Sequence, residues 1–127
     1  MPSNKSVVLV DDDKDILTVL KKGLELKGYE VRDFDNPLEA VDYLKSVNSP
    51  QVLITDLRMQ GLTGFDVCRE AKKKHPKMGI IMMTSFEISK SEFEAVLPST
   101  KIDALLTKPI SLRKLIDALN AIYVSTR

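Results

Sequence analysis

Cysteine, histidine and long apolar runs are all scarce in this chain of 127 residues. The single cysteine, Cys68, excludes an internal disulfide and makes a reducing cytoplasm the expected setting. A lone histidine, His75, leaves a zinc site or a histidine-based catalytic triad without support. No apolar run exceeds five residues, far short of a bilayer span. The first such run stops at Val10, so Met1 to Lys5 is not followed by a signal-peptide core, and no membrane partner is expected. A net charge of +1 gives no bulk field for direct nucleic-acid binding. No glycine-rich phosphate loop is present, which argues against ATP as a ligand. Repeats, low-complexity tracts and linkers are also missing. Residues 1–127 therefore read as one domain, either stand-alone or excised from a longer protein.

What is present is alternation. Val7-Val8-Leu9-Val10 is a continuous apolar run of the kind that a strand covered on both faces carries. Asp13 is placed to cap a helix with Ile16, Leu20 and Leu24 on one stripe, closed by Gly28. Tyr29 to Phe34 alternates like a half-exposed edge strand. Asn36-Pro37 opens a second helix with a Leu38, Val41, Leu44 stripe. Val52-Leu53-Ile54 predicts a buried third strand. Gly61 and Gly64 bracket a loop before a helix from Phe65 to Lys74, broken at His75-Pro76. Ile80 to Met83 predicts the fourth strand, and Ser89 with Glu92 forms a capping-box pattern for a short fourth helix. Ala104 to Leu106 predicts a fifth strand. Ser111 is placed to cap a fifth helix bearing Leu112, Leu115, Ile116, Leu119, Ile122 and Tyr123. Five strands alternating with five helices imply an α/β, doubly wound parallel sheet with helices on both faces.

Ligands of such sheets lie beyond the carboxyl ends of the strands. The polar residues share that address: Asp11, Asp12 and Asp13 after strand one, Asp56 after strand three, Thr84 and Ser85 after strand four, Lys108 after strand five. Carboxylates gathered this closely repel one another unless cations join them. Lys108 supplies one positive charge. An all-oxygen site suits Mg²⁺ for the rest, with Mn²⁺ as the alternative. A carboxylate beside both cations is poised to attack phosphorus, and the Thr84 hydroxyl can hydrogen-bond the group that arrives. Asp13 is explained by capping alone, the Lys72-Lys73-Lys74 run by the helix dipole, and Met78, Met82 and Met83 by core filling.

Val8-Leu9-Val10-Asp11-Asp12-Asp13, Ile54-Thr55-Asp56-Leu57-Arg58-Met59, Gly64, Met83-Thr84-Ser85 and Thr107-Lys108-Pro109 together resemble the receiver domain of two-component response regulators. The resemblance runs over essentially the whole chain. It implies a flavodoxin-like sheet of strand order 2-1-3-4-5. It implies that Asp56 accepts a phosphoryl group from a sensor histidine kinase or a histidine phosphotransfer protein. Mg²⁺ would be held by Asp12, Asp56 and the main-chain carbonyl of Arg58, with Asp11 helping through water. Thr84 and Lys108 would grip the phosphoryl group, with Ser85 beside them, and a cis Lys108–Pro109 bond is admitted, X–Pro being the class in which cis is cheap. The resemblance implies a cytoplasmic signalling switch rather than a turnover enzyme, with only slow self-phosphorylation and autodephosphorylation. Its readout by a partner or output domain would use the fourth helix, fifth strand and fifth helix, here Glu94, Leu105, Ile110, Lys114 and neighbours.

The chain departs from the family pattern at several positions. Leu105 stands where an aromatic switch residue is usual, Gln60 where proline is usual, and Pro98-Ser99-Thr100-Lys101 where a small-residue turn is usual. Arg58 and Phe86 occupy loop positions that tune the hydrolytic water, and their bulk predicts slow self-dephosphorylation. Two other functions compete. Asp11-x-Asp13 resembles the first motif of haloacid-dehalogenase-type phosphatases, although that reading leaves Asp56 unexplained. A receiver-like interaction module that is never phosphorylated is the third.

Overall fold

The computed structural model describes residues 5–48, 50–85 and 101–125. Its elements are β1 (Lys5–Val10), α1 (Lys14–Leu26), β2 (Tyr29–Phe34), α2 (Pro37–Ser46), β3 (Val52–Asp56), α3 (Gly64–Lys74), β4 (Gly79–Thr84), β5 (Ala104–Thr107) and α4 (Leu112–Ser125). All strand pairings are parallel, in the order β2-β1-β3-β4-β5. Both the α/β class and the strand order agree with expectation. Five helices were expected and four stand among the described residues. The helix expected around Ser89 to Leu97, with Glu94, and the tuning residue Phe86 lie outside them.

Burial follows strand position. β3 and β4 are buried at every residue, because they are central and covered on both faces. β2 alternates buried and exposed at its start, as an edge strand does. One face of the sheet packs Val7, Leu9, Ile54 and Met83 against α1 and α4. The other packs Val8, Val10, Leu53 and Met82 against α2 and α3, with Cys68 fully buried. Burial pushes the Cys68 thiol up to about 12, so it is an inert core group.

Two helical stripes need correction. On α1, Leu17 joins Leu20 and Leu24 in the core while Ile16 is only partly buried. On α2, Leu38 is 56% exposed and the buried face is Pro37, Ala40, Val41 and Leu44. Pro37 at the first helical turn takes the inward position, which turns its neighbour Leu38 outward. Capping is as expected: the Asp13 carboxylate accepts from the N–H groups of Asp15 and Ile16, and the Asn36 side-chain Oδ1 from that of Leu38. Among the described residues, no helix is long and apolar enough to cross a membrane.

Candidate functional site

Parallel register brings the distant polar residues together. Val10 of β1 lies opposite Thr55 of β3, so the next residues, Asp11 and Asp56, leave the sheet side by side. Asp56 in turn lies opposite Met83, one residue before Thr84, and Thr84 opposite Thr107, one before Lys108. Neighbouring strands are about 4.8 Å apart. Four sequence positions spread over the chain thus converge at one carboxyl edge.

Side-chain geometry completes the cluster. The Lys108 Nζ donates to Asp11 Oδ2 at 2.8 Å and lies 3.3 Å from Asp56 Oδ1. Asp11 is fully buried; its other oxygen accepts the Asp13 N–H at 2.9 Å. Asp56 is 6% exposed and accepts the Leu57 N–H at 3.0 Å. Ligand oxygens of Asp11, Asp12 and Asp56 all lie within 4.8 Å of one another, with Asp12 on the solvent side.

Electrostatics follow from this crowding. Burial, and then the charge of Asp11, hold the Asp56 carboxyl above the usual carboxylate value, and Lys108 and the Leu57 N–H oppose this without reversing it. Burial would lower the Lys108 ammonium, yet its contacts with Asp11 and then Asp56 outweigh burial and hold it above the ordinary lysine value. One ammonium therefore faces three carboxylates. The residual negative charge, the all-oxygen donor set and the open side at Asp12 fit a small hard divalent cation.

Backbone features hold the site in shape. The Leu57 N–H donates to Met83 O at 2.8 Å and the Lys108 N–H to Thr84 O at 2.7 Å, locking β3, β4 and β5 together at this edge. The Lys108–Pro109 peptide is cis. Gly64 donates its N–H to Leu57 O at 2.8 Å, and a Cβ placed on it would stand 2.4 Å from Asp56 O and 2.6 Å from Met82 Sδ. Only glycine lets α3 start so close beneath Asp56.

The expected residues divide as follows. Asp11, Asp12, Asp56 and Lys108 form the cluster, and Thr84 is buried at the adjoining strand end. Ser85 is exposed beyond it. Leu105 lies two positions into β5 and is 37% exposed, opposite Met82 rather than at the carboxyl edge. Arg58 is exposed two residues past Asp56. Asp13 belongs to the cap of α1. Sequence reasoning did not find the Leu57 N–H contact, because a main-chain donor leaves no residue-type signal.

Comparison with known proteins agrees with the geometry. The family description "Response regulator receiver domain" matches residues 7–120. A response regulator receiver domain protein from Clostridium thermocellum is similar at 30% identity, covering 95% of both chains with a TM-score of 0.84. A CheY-like receiver domain protein from Methanospirillum hungatei shows 26% identity over 97% of this chain and 99% of its own, also with a TM-score of 0.84. A DNA-binding response regulator of the LuxR family from Staphylococcus aureus shows 28% identity over 93% of this chain and 98% of its own, with a TM-score of 0.80. Receiver domains bind Mg²⁺ in an acidic pocket and interact with histidine kinases and output domains. On a match spanning most of its length and on the carboxyl-edge cluster, the chain belongs to the response regulator receiver domains and is a phosphoacceptor signalling switch of two-component systems.

Proposed function

We propose that Asp56 is the residue phosphorylated, with Asp11, Asp12, Asp56 and the Arg58 main-chain carbonyl holding Mg²⁺ (or Mn²⁺) beside it. The observation that carries this reading is the Lys108 ammonium shared between Asp11 and Asp56 inside a three-carboxylate cluster. The Asp56 carboxylate attacks the phosphorus of a phosphohistidine on a sensor kinase or phosphotransfer protein. The P–N bond breaks and the imidazole leaves as the acyl phosphate forms. The metal ion, when bound, neutralises phosphoryl oxygens and lowers the repulsion between phosphodonor and carboxylates. Lys108, 3.3 Å from Asp56 Oδ1, then moves from Asp11 onto the new oxygens, and the hydroxyl of Thr84, buried at the adjoining strand end, donates to them; the Lys108 distance supports the first of these roles.

Phosphorylation adds roughly two negative charges and three acceptors. It shifts a two-state equilibrium only by its differential interaction with the two states. Leu105, Ile110 and Lys114 lie on or beside β5 and α4 and are assigned to the face read by an output domain or partner. With Leu105 in place of an aromatic ring, an aromatic rotamer switch is not available at this position. We assign residues 1–127 to a single receiver domain acting in the cytoplasm, with no direct nucleic-acid or membrane partner. Its own chemistry is confined to slow self-phosphorylation and, with Arg58 and Phe86 as tuning residues, slow dephosphorylation.

Incubation with acetyl phosphate and Mg²⁺ followed by intact-mass measurement tests the assignment. A gain of one phosphoryl group in the wild type and none in Asp56→Asn is expected. Labelling that survives Asp56→Asn would favour Asp11 as nucleophile. That phosphatase-like alternative is disfavoured because the Asp13 carboxylate, its required acid, accepts two N–H groups of α1 at 3.0 and 3.3 Å. No mass gain and no beryllofluoride-dependent spectral change would favour an unphosphorylated interaction module.

A further inference from the structure

The opposite edge of the sheet carries a second feature that the phosphoacceptor reading does not use. A groove of about 890 Å³ lies where β3 and β4 begin, between the C-terminal ends of α3 and α4 and the lead-in to β5. Among the described residues, Lys72, Lys77 and Lys101 line it, and Asp103 is the single carboxylate. The formal charge of the lining at pH 7 is thus net positive, in a chain whose total is only +1.

The helix dipole accounts for one of these cations and not for the other two. Lys72 sits in the last turn of α3 and reaches the Pro76 carbonyl at 3.4 Å, so the dipole explains it. Lys77 and Lys101 lie outside any helix, are exposed, and are without a carboxylate partner among the described residues. Elsewhere Lys14, Lys21, Lys45 and Lys73 each lie within ion-pair distance of an acid, whereas Lys22, Lys27 and Lys114 are likewise without one among the described residues; Lys77 and Lys101 differ from these in lining one groove. Asp103 is committed to the fold, since its Oδ2 accepts the Ile80 N–H at 2.8 Å. Two unpaired ammonium groups therefore face a concavity, where field lines concentrate.

The walls also select among anions. Compact phosphates are held by helix N-termini and clustered backbone N–H groups. Among its described walls this groove has no helix N-terminus. Ile122, Pro50 and Pro76 supply apolar surface between the charges. An extended chain carrying carboxylates several ångströms apart, with an apolar side chain between them, matches that pattern better than a phosphate does.

We propose that this groove docks an acidic peptide segment of a partner protein through Lys77 and Lys101. β3 runs the full depth of the sheet, so about 13 Å separates the groove from Asp56, and the two edges can be engaged at once. The proposal is independent of which residue is phosphorylated.

A fluorescein-labelled ten-residue peptide of Asp, Glu and Leu, followed by anisotropy, tests it. Binding is expected to weaken at least about tenfold in the Lys77→Glu/Lys101→Glu double variant and to fall with added salt. It is expected to persist unchanged in Asp56→Asn. Amide shifts in the bound wild type should centre on Gly79 and Asp103. Both lysines are exposed, so the double variant should keep the wild-type thermal unfolding midpoint, and Lys22→Glu/Lys27→Glu serves as the equal-charge control. Equal weakening in that control, shifts centred elsewhere, tighter binding of a single-stranded oligonucleotide of the same charge, or no binding at millimolar peptide would each overturn the proposal.

Discussion

At the scale of single residues, the decisive fact is that Asp56 is ionised at a cost. Its carboxyl is held above the usual value by burial and by Asp11, so the folded state binds this proton more tightly than the unfolded chain does. The stability linked to that proton is fully present below the ordinary carboxylate range. It is lost as pH rises from there through the raised folded value. Asp56→Asn removes the ionisation. In metal-free buffer the variant should therefore melt above the wild type at pH 7, and the gap should close as pH falls into the carboxylate range. Thermal unfolding at a series of pH values checks this. A variant that melts below the wild type throughout would show that the Lys108 contact outweighs burial.

At the scale of elements, α3 is the support on which the site rests. Its start is set by a capping box: the Thr63 hydroxyl accepts the Asp66 N–H at 3.2 Å, and the Asp66 carboxylate accepts the Thr63 N–H at 2.9 Å. That backbone bond is the main cause of the lowered Asp66 carboxyl, with the Thr63 hydroxyl and then Arg69 adding to it against the opposing effect of burial. Thr63→Ala should destabilise the protein by about 1 kcal/mol at neutral pH. The Thr63 hydroxyl also donates to the Asp66 carboxylate at 3.1 Å; that contribution is present above the ordinary carboxylate value and lost as pH falls through the lowered one, so this part of the Thr63→Ala penalty should disappear in acid while the part from the Asp66 N–H remains. Denaturant unfolding at both pH values measures it. One residue on, Gly64→Ala would drive a methyl into the Asp56 carbonyl and Met82 Sδ. A stability loss of ~1–3 kcal/mol is expected, because the backbone atom cannot step aside. Slower phosphorylation by acetyl phosphate is expected as well, because the Asp56 main chain must shift to make room.

At the scale of the whole molecule, charge is divided between the two edges of one sheet. The carboxyl edge gathers Asp11, Asp12 and Asp56, and the amino edge gathers unpaired lysines. A divalent cation that binds only the folded carboxyl edge must stabilise the entire domain by mass action. Mg²⁺ at a hundred times its dissociation constant should add about 2.7 kcal/mol to unfolding. The Mg²⁺-induced rise in melting temperature should be much smaller in Asp12→Asn. Calorimetric scans with and without EDTA distinguish the two. A rise of the same size in both proteins would place the ion elsewhere.

Much of this protein was legible before any coordinates. Consecutive β-branched and aliphatic residues in β1, β3 and β4 can only be strands covered on both faces, and their alternation with amphipathic segments implies a parallel sheet. From that alone, Asp11, Asp56, Thr84 and Lys108 must share one edge, since parallel strands all end on the same side. Which residue touches which was not legible, because contact depends on register and side-chain direction. Only the tertiary structure decided that Lys108 bridges Asp11 and Asp56, that a Leu57 N–H holds the Asp56 carboxylate, and that Leu17 is buried more fully than Ile16 where α1 meets the core. The amino-edge groove was equally hidden. Lys77 and Lys101 are separated in sequence and follow no periodic pattern, and their juxtaposition exists only once β4 and β5 have paired and α3 and α4 have packed on opposite faces.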